Sequence, residues 1–305
     1  MPHKSISFHR QYLGYTGGHQ KVRDYLDHFC SMNFSPMLYL EGQASTKKDL
    51  FSGISNVEYQ THYQPEKASI AFLAGMDWQP YLASSAKHSL IFNLIQHVRH
   101  GDKNEQLFEF LAQPAVRLCV SNSVKQAIEP FSNGPCHVVK IGTSLPTLKV
   151  KKQHSLYILA NKQPDLGQDI YEWAIKKGIS TKLQTTKEER IETLKGMASS
   201  HVTLSLPNKS EGFYLPGIES MFYSDMAVVP YCVANKEYYS PRANLIIPTY
   251  TEEAIKESII QALNMNSPSL LIKKWVGRRI AKQYSLESER RILSGIVRNY
   301  TAKFG

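Results

Sequence analysis

The sequence is short of several things, and each shortage excludes something. It has four cysteines, Cys30, Cys119, Cys136 and Cys232, far apart and with no Cys-x-x-Cys spacing. That argues against a structural zinc site or a disulfide framework, and for reduced, mostly buried thiols. No apolar run approaches the roughly 20 residues of a membrane-spanning helix. The opening residues, MPHKSISFHR, lack the apolar core of a signal peptide. A cytoplasmic protein is therefore expected. There is no Gly-x-Gly-x-x-Gly, so a dinucleotide site is disfavoured, and no Asp-x-Asp follows an apolar strand, so no metal or cofactor is expected. Acidic side chains are outnumbered, 26 against 36 Lys and Arg, which leaves a charge of +10. That excess favours anionic partners. No nucleic-acid-binding motif accompanies it, so nucleic acid is not an expected partner.

What is present is a globular composition, 42% hydrophobic and 20% charged over 305 residues, enough for about two domains with packed cores. Short apolar runs at 5–9, 37–40, 57–60, 70–73, 90–95, 116–120 and 138–141 alternate with helix-like segments, among them 20–29, 105–112 and 123–129. Ser123 is the expected N-cap of the last of these and Pro130 its stop. The polar, basic stretch 146–153 reads as a linker, after which the alternation restarts. Strands are expected at 156–160, 181–184, 202–206, 227–230 and 245–247. Helices are expected at 170–177, ended by Gly178, and at 187–199, 217–223 and 252–264. Buried runs separated by helices argue for parallel sheets covered on both faces.

Three segments carry chemistry. In SLPNKSEGFYLPGIESMFYSDMAVVP, residues 205–230, a strand leads through a loop into a helix. Pro216 suits the first helical turn. Gly212 lets backbone approach a ligand, and the helix N-terminus favours a phosphate. Glu211 and Glu219 flank that turn and present carboxylates at two points of one ligand. In GYTGGHQKV, Gly17 and Gly18 follow the first strand and put amides near a phosphate, with His19 and Lys21 just beyond. In QHVRH, His97, Arg99 and His100 follow an apolar strand, and ligand sites of open α/β sheets gather at such strand ends.

The block EGFYLPGIESM followed by SDMAVVP resembles the signature of retaining GT-B glycosyltransferases of glycosyltransferase family 4, Glu-Gly-Phe-Gly-Leu-Pro-x-x-Glu-Ala-Met then Gly-x-Pro-Val-Val. The likeness extends upstream through TKEERIETLKGMASSHVTLSLPNK and downstream through CVANKEYY, NLIIP and TEEAIKESIIQAL. GYTGGHQKV, SLIFNLIQHVRH and AVRLCVSNSVKQAI resemble its N-terminal half. The resemblance implies two Rossmann-like α/β domains with parallel sheets facing a cleft. The first is an acceptor-side domain, 1–148; the second, 149–284, binds the nucleotide sugar; a final helix, about 285–305, crosses back onto the first.

The resemblance also assigns roles. Glu211 sits beside the transferred sugar as a catalytic group, with His97 as its counterpart from the first domain. Glu219 binds the ribose hydroxyls. Gly212, Phe213, Tyr214 and Leu215 face the sugar and diphosphate, and Gly17 and Gly18 complete the donor site. His19, Lys21, Arg99 and His100 belong to the donor or the acceptor. The Arg and Lys that hold the diphosphate in that family align with Asn161 and Leu166, which leaves Lys162 as the local cation. The implied activity is metal-independent transfer from a nucleotide sugar to a glycan or lipid-linked acceptor, in surface-polysaccharide assembly. A sugar-nucleotide epimerase, and a degenerate GT-B protein that binds sugar nucleotides as a sensor or assembly partner, remain as alternatives.

The charge is concentrated at the end of the chain. Residues 271–305 hold nine basic residues, Lys303 the last, against Glu287 and Glu289, which makes +7 of the total. Trp275, Val276 and Ile280 stand at helical spacing among Lys273, Lys274, Arg278 and Arg279. That pattern fits contact with the inner face of a membrane or a helix packed on the other domain.

Overall fold

The computed structural model describes residues 4–14, 16–41, 50–209, 211–265 and 267–302. Tyr15, Ser210 and Lys303, each part of a motif named above, lie outside the described residues. The chain divides into two units, Met1–Lys140 with Glu289–Gly305, and Ile141–Ser288.

In the first unit the described elements run β1 (Lys4–Gln11), α1 (Gly17–Ser31), β2 (Phe34–Glu41), β3 (Glu58–Gln60), β4 (Ile70–Ala74), α2 (Trp78–Ala83), β5 (Ile91–Ile95), α3 (Gln106–Glu109), β6 (Val116–Cys119), α4 (Asn122–Ile128) and β7 (Cys136–Val138). The strands form one parallel sheet in the order β3-β2-β1-β4-β5-β6-β7. The order reverses between β1 and β4, so a crevice opens beyond their C-terminal ends. IAFLA and IFNLI are buried at every position, as strands covered on both faces must be. Helix α1 covers one face with Val22, Tyr25, Leu26 and Phe29, an i, i+3, i+4, i+7 stripe. Under it the Phe8 and Phe72 rings stack at 4.6 Å. The N-cap of α4 is Ser121, whose hydroxyl accepts from the Val124 N–H, and not Ser123; the extended backbone of Ser121 is what makes that bond reachable. The last expected strand of this unit falls earlier than 138–141, at Cys136–Val138, where β6 offers its pairing partners.

In the second unit the described elements are β8 (His154–Leu159), α5 (Pro164–Lys176), β9 (Thr181–Gln184), α6 (Arg190–Ala198), β10 (Ser200–Ser205), α7 (Leu215–Tyr223), β11 (Met226–Val228), β12 (Leu245–Ile246), α8 (Glu252–Leu263) and α9 (Ser267–Lys282). The parallel sheet runs β12-β11-β10-β8-β9, so its reversal lies between β8 and β10. Leu156, Ile158 and Ala160 pack with Val202, Leu204, α5 and α8 on one face. Tyr157 and Leu159 pack with α6 and Tyr223 on the other, the alternation a strand imposes. Helix α5 starts six residues before the sequence expectation, because Pro164 fits a first turn, and Gly178 at φ +72° follows its end. The stretch 146–153 has no helix or strand. It is nevertheless packed, with Leu148 and Val150 against the Tyr157 cluster and the Tyr223 hydroxyl donating to the Pro146 carbonyl at 2.7 Å.

The last helix, α10 (Leu286–Thr301), contributes Glu289, Leu293 and Val297 to the interior of the first unit. Cys119, Cys136 and Cys232 are buried, Cys30 is half-buried, and all four are free thiols. No described helix is long and apolar enough to cross a membrane.

Candidate functional site

In the second unit the two strands flanking the reversal, β8 and β10, end in the two loops that the sequence singles out. The first, 160–163, is short because α5 begins at once. Gly167 permits this, since a Cβ there would lie 2.1 Å from the Ala160 Cβ. Lys162 stands in this loop and ion-pairs with Glu211 Oε1, from the second loop. The carboxylate is buried at 7% exposure, while the Lys162 side chain is about one-third exposed. Its ammonium also lies 5.2 Å from the centre of the Tyr214 ring, and Asn208 Nδ2 donates to Glu211 Oε1 at 3.4 Å. One cation therefore sits over a carboxylate and an aromatic face at the mouth of the sheet. Asn161, the other polar residue of the loop, is half-buried. Leu166, where the resembled family has lysine, packs against the core under β8 and β10 and is not available to an anion.

Gly212, Phe213 and Tyr214 are buried, and Leu215 and Pro216 open α7. No side chain caps this helix at its Tyr214 N-cap, and no acidic residue occupies its first turn. Pro216 has no N–H and the Gly217 N–H donates to the Tyr214 carbonyl at 3.1 Å, so what the helix start offers an anion is chiefly the positive end of its dipole. Gly217 lets the first turn close on Tyr238, because a Cβ there would lie 2.2 Å from the Tyr238 hydroxyl. Burial pushes the Tyr214 and Tyr238 phenols well above their ordinary range, and both hydroxyls are without a partner among the described residues.

Helix α7 begins two residues earlier than the periodicity suggests, so Glu219 lies just past the first turn. Its carboxylate, 5% exposed, is held from outside the helix. Arg190 Nη2 donates to Glu219 Oε1 at 2.7 Å and Thr143 Oγ1 donates to the same oxygen at 3.1 Å. Neither Arg190 nor Thr143 was legible as a site residue. Arg190 belongs to a helix that reads as structural, and Thr143 precedes the first strand of the unit.

In the first unit, Gly18, His97, Arg99 and His100 come together around a cavity of about 230 Å³ beyond β1, β4 and β5. Arg10, Gly75 and Gln96 line the same cavity and were missed; their only signal is position, at the ends of strands. Arg10 is set by bonds from Nη1 to the Ala74 carbonyl and to Asp77 Oδ2, both 3.1 Å. Gly75 sits at φ +61°, where a side chain is strained. His100 is buried, and its Nδ1 meets the His97 carbonyl at 3.0 Å, which fixes Nδ1 as the donor. Burial, with the nearby Arg99 and Arg117 charges, lowers its pKa to about 4. The imidazole is neutral at ordinary pH and Nε2 carries the lone pair.

The remaining residues of the Gly-Gly segment separate. Gly17 and Gly18 are the first residues of α1, capped by Thr16. His19 leaves the cavity for Tyr12 and Phe51, its pKa lowered to about 4 by burial and then by Arg10. Lys21 is 1% exposed and bound to Asp24 at 2.8 Å and to Glu289 at 2.7 Å. Burial alone would lower its pKa, but the two carboxylates outweigh burial and hold it raised. Lys21 therefore ties α10 to α1.

No family model and no curated protein sequence matches the chain. Solved structures do. A sucrose-phosphate synthase from Thermosynechococcus elongatus superposes with a TM-score of 0.74 at 10% identity, over 98% of this chain and 100% of that one. HepE of Anabaena, solved with UDP-glucose, gives 0.71 at 11%, over 97% and 100%. A UDP-forming α,α-trehalose-phosphate synthase from Burkholderia vietnamiensis gives 0.64 at 10%, over 98% and 100%. At such identities the likeness establishes the fold, which is the two-sheet GT-B architecture.

Proposed function

We propose that this chain is a retaining glycosyltransferase, of the type of glycosyltransferase family 4, that moves a sugar from a nucleotide-sugar donor to a glycan or lipid-linked acceptor in surface-polysaccharide assembly at the cytoplasmic side of a membrane. The observation that carries the reading is the assembly at the β8–β10 reversal: Lys162 and Glu211 over Tyr214, at the uncapped start of α7, with Glu219 held one turn further along. HepE, solved with UDP-glucose, and the UDP-forming synthase support a uridine diphosphate sugar as the first donor to test.

In this reading Glu219 accepts from the ribose hydroxyls. The diphosphate lies at the positive end of α7 and takes the Lys162 ammonium from Glu211. The freed Glu211 carboxylate then faces the anomeric carbon, where the transition state builds oxocarbenium character. The C1–O bond to phosphate breaks, and the acceptor oxygen bonds C1 from the same face. The acceptor's proton passes to the leaving phosphate oxygen, so no enzymic nucleophile is needed. Charge on the leaving group is met by Lys162 and the helix end, and the scheme calls for no metal. The resemblance makes the first unit, which holds the 230 Å³ cavity, the acceptor side.

Glu211→Gln tests the reading. It should retain donor affinity within a few-fold, as read by calorimetry, and lose transfer by about 10²–10³. Wild-type transfer by a folded Glu211→Gln protein overturns the assignment. A second reading, donor binding without transfer, draws on Leu166 in place of the second cation. It is favoured if nucleotide sugars raise Tm while no acceptor pool yields product. Product formed without an acceptor marks an epimerase instead.

A further inference from the structure

Helix α9 carries five basic residues and no acidic one. One side of it is committed to its own unit. Gly277 and Ala281 are buried, and a Cβ at Gly277 would lie 1.7 Å from Asn244 Oδ1. Lys274 pairs with Asp225, Lys273 donates to the Pro241 carbonyl at 3.0 Å, and Arg278 Nε donates to the Phe222 carbonyl at 3.1 Å. The helix is thus seated rigidly, and what it shows on the other side is fixed by that seating.

That other side is apolar at its centre. Leu271 is 68% exposed, Ile272 65% and Trp275 62%. At about 100° per residue these three fall in one sector with Arg279 and Lys282, both exposed. The Arg279 guanidinium lies 5.6 Å over the Trp275 ring. Single exposed apolar residues are ordinary on soluble proteins; a contiguous set framed by cations marks a surface that meets something.

We propose that α9 docks the protein on an anionic lipid bilayer, with Leu271, Ile272 and Trp275 in the headgroup–acyl boundary and Arg279 and Lys282 at lipid phosphates. Charge decides the occupant. A second copy meeting the same face would set Arg279 and Lys282 against their own duplicates with no carboxylate on the helix to answer them. An anionic bilayer answers both halves of the face at once, and indole is suited to the interface between apolar and wet layers. The proposal does not rest on the transferase reading.

The test uses the full chain and vesicles of phosphatidylcholine, with and without phosphatidylglycerol. Of the three tryptophans, Trp78 is 2% exposed, Trp173 is half-buried, and Trp275 alone is largely exposed. Binding should therefore blue-shift the emission, and Trp275→Phe should bind with the shift abolished. Arg279→Gln with Lys282→Gln should weaken binding to anionic vesicles about 25-fold, at roughly fivefold per charge. Leu271→Ser, Ile272→Ser and Trp275→Ser together should weaken it by more than about tenfold. Unchanged Tm in both variants confirms intact folding. The proposal is overturned if the wild-type chain ignores anionic vesicles, or if the triple serine variant binds as the wild type does. It is overturned equally if the chain dimerises with concentration and that same variant abolishes the dimer.

Discussion

Arg190 Nη2 donates to Glu219 Oε1 at 2.7 Å, and the same nitrogen lies 2.9 Å from Thr143 Oγ1 and also reaches the Ser144 carbonyl. The guanidinium, one-third exposed, is the countercharge of a carboxylate that is almost wholly buried. These contacts on Oε1 fix the orientation of the Glu219 carboxylate. A bond of this kind is worth roughly 1.5–3 kcal/mol. Arg190→Met should therefore raise the Kd for a nucleotide sugar by about 10–100-fold, and Arg190→Lys should recover part of the loss. Calorimetry on both variants checks this. A purely structural role for Arg190 would lower Tm and leave Kd alone.

Lys162 is the single cation left where the resembled family uses two. If it serves the diphosphate, Lys162→Met should weaken a nucleoside diphosphate by roughly tenfold and leave the bare nucleoside unaffected. Competition binding of the two ligands reads the difference. Equal losses for both would place Lys162 elsewhere.

Glu289 is 1% exposed and bound to Lys21 at 2.7 Å and to His28 at 3.0 Å. Burial would push its carboxyl up, but Lys21 and His28 hold it down. Glu289→Ala leaves the buried Lys21 ammonium with Asp24, at 2.8 Å, in place of two carboxylates and should cost about 1.5–3 kcal/mol in urea unfolding. Lys21→Met with Glu289→Leu and Asp24→Asn, which removes all three charges of the cluster at similar volume, should recover most of that. A simple sum of the separate losses would contradict the pairing.

His100 is neutral in the fold because burial lowers its pKa from 6.5 to about 4. The unfolded chain binds its proton near 6.5, so stability is fully present above that pH. It is lost as pH falls from about 6.5 to about 4, by roughly 3 kcal/mol for this group. His100→Gln should flatten the fall in urea-derived stability across that window. The same slope in wild type and variant would assign the dependence to other groups.

Much of this was legible in the sequence because it is local. Buried strands announce themselves as apolar runs, Gly178 ends its helix where expected, and the Glu-Gly-Phe block with Glu219 eight residues on is contiguous. Helix starts were less legible. Pro164 and Leu215 begin α5 and α7 earlier than apolar spacing shows, since a first turn need not bury anything.

The sequence by itself therefore determined two parallel α/β sheets and the loops at their strand ends, since periodicity and turn chemistry act between neighbours. Tertiary structure alone decided which charges are spent and which are free. Lys21 and Lys162 look alike in the sequence. One is consumed by Glu289, 268 residues away, and the other waits on Glu211 at the end of a sheet. Leu166 turned inward, and Arg190 and Thr143 turned toward Glu219, because electrostatic and packing partners are chosen by distance in space, which covalent order does not encode.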